Sequence, residues 1–277
     1  MSVNLNCKAK SVLRAFYNIT MDILRKELNQ IYQSQLLGQE ILDPTNIVLW
    51  KEKIASLATT GDEMDVITDA SADRCHIFSG KIAYILGLSD LPHYIATYES
   101  SDEDAIYSRI HPEDLVDKRM LEYEFFKFIN PLTDAEKLHH KAACRIRMQN
   151  RYGEYIYFDN STQIIHPSPA GKIWLILCRY CISPNQEEMT GISPVLINSD
   201  SGAVTPLSIT TRRNQVLSRR EKEVMRLIKD GKASKQIAGL LGISIHTVNR
   251  HRQNIIEKLS VSNSTEAVAA ATAMKLL

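Results

Sequence analysis

Residues 217–277 contain four short segments in which apolar residues recur at helical spacing. Three of the segments start at a good capping residue, which is Ser218, Ser244 or Asn263. Glu221 and Glu266 lie three residues after Ser218 and Asn263 and complete two capping boxes. Gly242 follows the second segment, 234–241, and suits the tight turn between two helices. Because helices this short are marginal in isolation, this stretch is constrained to fold as a small bundle of four packed helices.

The third segment, residues 244–259, has two distinct faces on a helical wheel. Val248, Ile255 and Leu259 fall on one side and are expected to face the core. The opposite side carries polar groups that match base edges, and the candidate base contacts are His246, Asn249, Arg250 and Gln253. Candidate phosphate contacts, at helix starts and on the flanks, are Lys235, Ser244, Thr247, His251, Asn254 and Lys258. The alternative interpretation is a solvated polar face on a small helical domain.

Charge is distributed unevenly along the chain, although the net charge of its 277 residues is only +1. From Arg212 onward there are 13 Lys and Arg against 5 Asp and Glu, a net charge of +8, so that residues 1–211 carry −7. A small basic segment on a larger acidic body is typical of a nucleic-acid binder that carries a regulatory domain. The sequence therefore predicts double-stranded DNA as a partner.

The C-terminal stretch resembles the LuxR/GerE-type DNA-binding domain. The matching residues are LSRREKEV (217–224), KQIA (235–238), LGIS (241–244), Thr247-Val248, His251, Asn254-Ile255, Lys258-Leu259 and EAV (266–268). The resemblance implies a helix-turn-helix fold, major-groove binding by the third helix, and transcriptional regulation. It also implies dimerisation partly through the fourth helix, for which the candidate residues are Val268, Ala271 and Thr272.

Three residues depart from the pattern of that family. Asn249 stands where a lysine commonly follows Thr-Val, which favours an adenine contact over a phosphate or guanine contact. Ala233 stands where a Ser or Thr cap is usual, so we expect the second helix to fray at its start. Ser264 replaces a frequent arginine before the last helix.

Residues 62–184 are predicted to form one α+β domain. Its predicted elements are a strand at 75–78, a helix at 80–87, a helix from His111 to Asn130, and strands at 144–148, 155–165 and 173–178. The segments GKIAYILGL, IHPEDL and the three closing strands resemble a PAS-type sensor domain. That resemblance implies an antiparallel sheet that backs a few short helices and encloses a ligand or mediates dimerisation.

The remaining stretches are predicted to be two helices and a linker. Residues 1–61 hold amphipathic helices at 9–37 and from Pro44 to Leu57, which either pack on the next domain or mediate dimerisation. Residues 185–213, rich in Pro and Gly, are predicted to be a linker with a small hairpin between Pro194 and Thr205. The helix-turn-helix domain is then expected to span residues 214–277.

No sequence motif supports an enzymatic activity, since a Gly-rich phosphate loop, G-x-S-x-G and H-E-x-x-H are all absent from the sequence. Cys178 and Cys181 are predicted to be core residues on opposite faces of one strand. Other candidates for a metal or haem site, each with a structural role favoured, are His76, His93, His111, and the group His139, His140 and Cys144. We therefore predict no cofactor and no metal.

The chain lacks an apolar run of the ~20 residues that a membrane-spanning helix needs. Its N-terminus has no apolar block of a signal peptide, and its five cysteines lack disulfide-framework spacing. We therefore expect a cytoplasmic, homodimeric transcription regulator with no membrane partner, and a small-molecule or protein signal at its PAS-like domain. The alternatives are a protein-interaction or a small-molecule-binding regulator in which DNA binding is secondary.

Overall fold

A computed structural model describes residues 25–209, 217–259, 261, 263–273 and 277 of the chain. These residues fall into two compact units, one formed by Lys26–Ser208 and one that includes Ile209–Leu277. The first unit mixes strands and helices, whereas every element described in the second is a helix. The predicted combination of an α+β body with an all-α C-terminal domain is therefore confirmed.

The larger unit is built on one antiparallel sheet. Its strands are β1 (Met64–Asp69), β2 (Arg74–Ser79), β3 (Tyr94–Tyr98), β4 (His140–Gln149), β5 (Tyr155–Pro167), β6 (Ile173–Ile182), β7 (Val195–Asn198) and β8 (Val204–Pro206). They are arranged in the order β3-β2-β1-β6-β5-β4-β7-β8. Four of them, β2, β4, β5 and β6, cover the stretches that the sequence predicts as strands, whereas β1 and β3 were not predicted.

Strand β1 pairs with both β2 and β6 and is buried along its whole length. Two aspartates in it, Asp65 and Asp69, obscure the strand pattern in the sequence. Each has a partner far along the chain: Arg179 donates to Asp65 at 2.7 and 3.0 Å, and the Trp174 indole donates to Asp69 at 3.1 Å. These bonds make the buried carboxylates tolerable in a central strand.

The predicted hairpin in the linker is present as β7 and β8, but it also joins the sheet. β7 pairs with β4, with Lys141 opposite Ile197 and Ala143 opposite Val195. This pairing satisfies backbone groups that an edge strand would otherwise present to solvent. Residues 195–206 are consequently part of the larger unit, which ends at Ser208, rather than a free connection.

The helices of the larger unit cover the sheet. They are α1 (residues 25–34), α2 (Thr45–Thr60), α3 (Lys81–Ile85), α4 (Asp104–Tyr107), α5 (Pro112–Ile129) and α6 (Asp134–His139). α2 packs Ile54 and Trp50 against a cluster that includes Ile67 and Leu177. Successive side chains of a strand point to opposite faces of the sheet, so Cys178, which follows Leu177 in β6, points to the other face. There α5 brings Lys118 over the ring of Tyr180, two residues further along β6.

Local signals placed several helix boundaries correctly and missed others. α5 begins as predicted: Pro112 is at its first turn, and the His111 ring accepts a hydrogen bond from the Glu113 N–H at 3.3 Å. α2 runs to Thr60, whereas the sequence predicts that it ends before Thr59. The first predicted helix, 9–37, lies outside the described residues up to residue 24 and stops earlier than predicted, at residue 34.

The C-terminal unit contains four described helices: α7 (Arg219–Lys229), α8 (Ser234–Leu241), α9 (Ile245–Lys258) and α10 (Ser264–Ala273). Ser218 and Glu221 form the predicted capping box, and Gly242 ends α8 at φ +63°. The Oδ1 atom of Asn263 accepts from the Glu266 N–H at 2.9 Å and so caps α10. Apolar residues from all four helices form one core, as expected for helices that cannot be stable alone.

Substitution of Gly80 by Ala is expected to destabilise the larger unit. A Cβ at this position would lie 2.2 Å from the backbone oxygen of Gly61. Neither backbone can move without disturbing the bond from the Gly80 N–H to the backbone carbonyl oxygen of Glu63. We expect a loss of about 1–3 kcal/mol in the free energy of unfolding, measured by urea denaturation. The control is Gly38→Ala, where nothing lies within 4 Å of the added Cβ. Equal effects of the two substitutions would contradict this account.

Candidate nucleic-acid interface

Helix α9 begins at the cap that the sequence predicts, Ser244, directly after the turn at Gly242. The Ser244 hydroxyl accepts from the Thr247 N–H at 3.0 Å and also bonds the Thr247 hydroxyl at 2.8 Å. Gly242, in the left-handed region, lets the chain reverse between α8 and α9 within three residues. The first turn of α9 therefore presents its free N–H groups at a defined place on the surface.

The packed side of α9 determines which side chains it exposes. Val248 and Ile255 are at most 1% exposed, and Leu259 at its end is 2% exposed. With these residues in the core, the four predicted base contacts are all exposed, and they are His246, Asn249, Arg250 and Gln253. The structure thus brings the four together on one open side of a helix, as the wheel predicts. That they contact bases stays a prediction.

The residues predicted to contact phosphates differ in solvent exposure. Lys235 and Ser244 are exposed, whereas Thr247, His251 and Asn254 are partly buried. The Nδ1 atom of His251 is buried and has no hydrogen-bond partner among the described residues. A phosphate contact by this ring would consequently have to use Nε2.

Lys258 has a structural partner that the sequence does not indicate. Its ammonium group donates to Oε2 of Glu221 at 2.7 Å and so ties the end of α9 to the start of α7. The same oxygen accepts from the Ser218 N–H at 2.8 Å. Burial alone would raise the pKa of Glu221, but the bonds from Lys258 and Ser218 outweigh it and lower the pKa below its ordinary value. The Lys258 side chain remains 44% exposed, so it is still accessible to a ligand.

Arg252 is a residue that positions α9, and sequence reasoning missed it. Its guanidinium donates to the Ser264 hydroxyl at 3.0 and 3.2 Å and to the Ser234 hydroxyl at 3.2 Å. One side chain thereby connects α9 to the first turns of α8 and α10. Ser264, noted as a departure from the family pattern, is an acceptor for this arginine. No local signal in the sequence identifies it, because both serines lie more than ten residues away.

The expected fraying of α8 is offset by a different hydrogen bond. Ala233 has no side-chain group to cap the helix, but its own N–H donates to Oε1 of Gln236 at 2.9 Å. This bond to the Ala233 backbone and the bond from Arg252 to the Ser234 hydroxyl both stabilise the first turn of α8. α8 consequently begins at Ser234 in spite of the missing cap.

The three predicted dimerisation residues of α10 are placed differently. Ala271 is fully buried in the core of the helical unit, so its methyl group has no surface to offer a second copy. This corrects the expectation for Ala271, and its physical reason is that residues 267–271, AVAAA, include no polar side chain to distinguish the inner face of the helix. Thr272 is exposed and Val268 is partly buried. For these two residues dimerisation stays a prediction.

The candidate ligands of the larger unit have ordinary structural surroundings. His76 bonds the Thr97 hydroxyl at 2.8 Å, and His140 bonds the backbone carbonyl oxygen of Glu136 at 2.7 Å. Cys178 and Cys181 lie on opposite faces of β6, as predicted. Among the described residues, no group of three His, Cys, Asp or Glu side chains is placed to hold a metal ion. Nor is any described helix long and apolar enough to cross a membrane.

Four short helices, of which α7, α9 and α10 have side-chain caps, together with the exposed polar side of α9, define a helix-turn-helix domain. Residues 215–271 match the family model for "Bacterial regulatory proteins, luxR family". The C-terminal segment is therefore a helix-turn-helix domain of LuxR/GerE type, as its sequence suggests.

Curated relatives share this segment. YgeK, an uncharacterized response regulatory protein of Escherichia coli K12, is 45% identical over 58 residues, which are 21% of this chain and 40% of that protein. The transcriptional regulatory protein UhpA of the same strain is 42% identical over 60 residues, 22% of this chain and 31% of that protein. RhlR of Pseudomonas aeruginosa, an HTH-type quorum-sensing regulator, is 46% identical over 61 residues, which are 22% of this chain and 25% of that protein. This chain thus spans 40% or less of the length of these three relatives.

Solved structures align over more of the chain, but with low similarity. A VqmA dimer of Vibrio cholerae is 14% identical with a TM-score of 0.30, covering 82% of this chain and 88% of that chain. Escherichia coli SdiA is 16% identical with a TM-score of 0.25, covering 90% of this chain and 98% of that chain. At such TM-scores these likenesses carry no argument about the larger unit.

Substitution of Lys258 by Ala is expected to lower stability by about 1–2 kcal/mol, because it removes a charged donor from the buried Glu221 carboxylate. The lowered pKa of Glu221 means that its stabilising effect is present above the unfolded-state pKa and is lost as the pH falls through the folded-state value. The variant should therefore lose less stability than the wild type on acidification from neutral pH to about pH 4, near the ordinary carboxyl pKa.

Urea denaturation followed by circular dichroism, at both pH values, measures this effect. The control is Lys235→Ala, which removes an exposed lysine of α8 and leaves the Glu221 contact intact. If Lys235→Ala and Lys258→Ala behave alike at both pH values, the ion pair does not stabilise the helical unit.

Proposed function

We propose that the chain is a sequence-specific DNA-binding transcriptional regulator that inserts α9 into the major groove. The observation that carries the proposal is the exposed side of α9, where four long or planar polar side chains lie together while the opposite side is buried in the core. The net charge of +8 from Arg212 onward supports it, since a duplex is a dense array of negative charge. The proposal assigns no catalytic step to the chain.

Each exposed side chain of α9 suits a particular base edge. The guanidinium of Arg250 matches O6 and N7 of guanine, and the amide of Asn249 matches N6 and N7 of adenine. Gln253 donates through Nε2 to the Glu257 carboxylate at 3.0 Å. This bond orients the amide, so that its Oε1 atom remains to accept from the amino group of adenine or cytosine.

The exposed residues His246, Asn249, Arg250 and Gln253 form the α9 stripe. Phosphate binding is assigned to groups beside this stripe. The start of α9 at Ser244 offers free N–H groups, which favour an anion at a helix N-terminus. Lys235 is exposed in the first turn of α8 and supplies a positive charge. These contacts would set the position of the helix on the duplex, while the α9 stripe would read the sequence.

The larger unit is proposed to be a PAS-like domain that senses a signal or mediates homodimerisation. Support comes from its antiparallel sheet, which is backed by short helices and by α5. The second candidate function, a small-molecule-binding regulator, is favoured by one specific observation: charged side chains of α5 point into the interior beside the sheet. The two functions are compatible in a single regulator.

Substitution of Arg250 by Ala is expected to cost about 1–3 kcal/mol of binding free energy and to relax specificity at one base pair. The full chain would be titrated by fluorescence anisotropy with a duplex selected from a random library, and with its single-base variants. Stability should change by less than about 0.5 kcal/mol, because the side chain is exposed.

Arg252→Ala is the matched control two residues away. It should lower the free energy of unfolding by about 1–2 kcal/mol, because it removes the bonds to Ser264 and Ser234. A uniform loss of affinity for all duplexes on Arg250→Ala would contradict its role as a base reader, and a stable Arg252→Ala variant would contradict the structural role of Arg252.

Substitution of Lys235 by Ala is expected to weaken all duplexes alike, because a phosphate contact carries no sequence information. The slope of log affinity against log salt concentration should decrease in magnitude by about 0.9, the value for one phosphate neutralised. Anisotropy titrations across a salt series measure this slope. An unchanged slope would remove Lys235 from the interface, whereas a base-dependent loss would make it a reader.

A further inference from the structure

Two large apolar side chains of the helical unit are exposed, and both lie beside the turn between α8 and α9. Leu240, near the end of α8, is 63% exposed, and Ile245, the first residue of α9, is 47% exposed. Among the residues that the structure describes from Leu217 onward, no other large apolar side chain is as open to solvent. Single exposed apolar residues are ordinary on a protein surface. These two differ in their place, at the turn that leads into the helix with the candidate base contacts.

Packing and helix stability do not account for Ile245. Leu241 and Ile243, on either side of Gly242, pack against the core of the helical unit, whereas Ile245 belongs neither to that core nor to the partly buried residues around it. Isoleucine is only a moderate helix former, and the first turn of a helix favours acidic side chains. The first turn of α9 contains no acidic residue. An apolar side chain without a neighbouring carboxylate suits a helix start that approaches an apolar group on a polyanion.

Ile245 continues the α9 stripe toward the start of the helix. It precedes Asn249 by four residues. The two side chains are therefore neighbours on the helix surface, with about 5–6 Å between their Cβ atoms. A helical side chain leans toward the N-terminus of its own helix, so Ile245 projects ahead of Asn249 and past the first turn. Leu240 belongs to α8 and leans toward the start of that helix instead, so Ile245 is the apolar group at the leading end of the stripe.

The cap of α9 holds Ile245 in this place before any partner binds. The Ser244 hydroxyl accepts from the Thr247 N–H at 3.0 Å, which fixes the backbone of the first turn. The Ile245 side chain is branched at Cβ, and such a side chain has one strongly preferred χ1 rotamer in a helix. Little backbone or side-chain freedom is left to be lost on binding, so an apolar contact made by Ile245 keeps most of its free energy.

The apolar group that a major groove offers to this side chain is the C5-methyl group of thymine. In helix-turn-helix proteins the N-terminal residues of the recognition helix are those that contact base edges. All four bases present hydrogen-bonding groups in the major groove, and thymine alone adds a methyl group. The side chain of Ile245 can neither donate nor accept a hydrogen bond, so it can recognise a base only through that methyl group.

We propose that Ile245 is a specificity-determining residue that packs on the C5-methyl group of a thymine, within about two base pairs of the adenine assigned to Asn249. The distance follows from the spacing of base pairs, about 3.4 Å along the duplex, and from the separation of the two side chains on α9. This inference rests on the proposed DNA-binding function. It adds one apolar side chain to a reading face that otherwise acts through hydrogen bonds, and it selects thymine over cytosine at one position.

The test removes the methyl group from the DNA and leaves the hydrogen-bonding edges of the base unchanged. The full chain is titrated by fluorescence anisotropy with a duplex selected from a random library, in which each thymine is replaced in turn by uracil. At one position the replacement should weaken binding by about fourfold, the change expected when one buried methyl-sized group is lost. Thymines outside the selected site are the internal control. If no position responds to uracil, the proposal is overturned.

Substitution of Ile245 by Ala assigns the methyl contact to this residue. The variant should bind the thymine and uracil duplexes with equal affinity at the responsive position. Leu240→Ala removes an exposed apolar side chain from α8 and is the matched control, which should keep the wild-type preference for thymine. A preference that persists in Ile245→Ala would show that the methyl group acts through the DNA or through another residue. An equal loss of affinity for both duplexes would place Ile245 against another part of the complex, and either result would overturn the assignment.

Both variants are expected to fold, because the two side chains are exposed and alanine is the best helix former. Circular dichroism checks this, and Ile245→Val is a second variant that should keep only part of the preference for thymine. Failure of this inference is distinguishable from failure of the proposed function. A chain that selects a duplex sequence but does not respond to the thymine methyl group still reads DNA, and only the role of Ile245 is overturned. A chain that selects no sequence from the library overturns the proposed function and this inference together.

Discussion

The burial of one side of α9 is the constraint on which the proposed interface depends. Val248 and Ile255 fix the rotation of the helix about its axis, because turning it would expose them to water. Arg252 and Lys258 then fix its position relative to the other helices, through Ser234 and Ser264 on one side and through Glu221 on the other. None of these contacts involves the exposed stripe. Among the described residues, the one side-chain hydrogen bond made by these polar side chains is that between Gln253 and Glu257.

Local chemistry makes much of this fold predictable from the sequence. Caps and glycines act within a few residues, so the starts of α5, α7, α9 and α10 can be placed from the amino-acid order alone. The face of α9 is predictable for the same reason, since helical periodicity is a property of neighbouring residues. Strand β1 is not, because its Asp65 becomes acceptable only through Arg179, more than a hundred residues away. The pairing of β7 with β4 likewise joins segments that are far apart in the chain.

The same distinction separates residues that look alike in the sequence. Arg252 and Arg250 look equivalent in the sequence, and only the distant serines make one of them structural and the other available to a ligand. The buried charges of α5 were missed altogether, because charged residues on an amphipathic helix are normally assigned to its solvated side. α5 is exceptional in turning Lys118, Arg119 and Glu122 inward. The cost of burying them is offset mainly by their mutual contacts, which no pattern within α5 alone reveals.

The departures from the family pattern are not independent of one another. An arginine at position 264 would meet the guanidinium of Arg252, whereas the hydroxyl of Ser264 accepts from it, so the serine and Arg252 form a compatible pair. Ser234 accepts from the same arginine and strengthens the start of α8, which lacks a side-chain cap at Ala233. Asn249 has a different consequence. A neutral amide in place of a lysine removes a charge from the reading side, so recognition at that position depends on hydrogen-bond geometry and much less on counterion release.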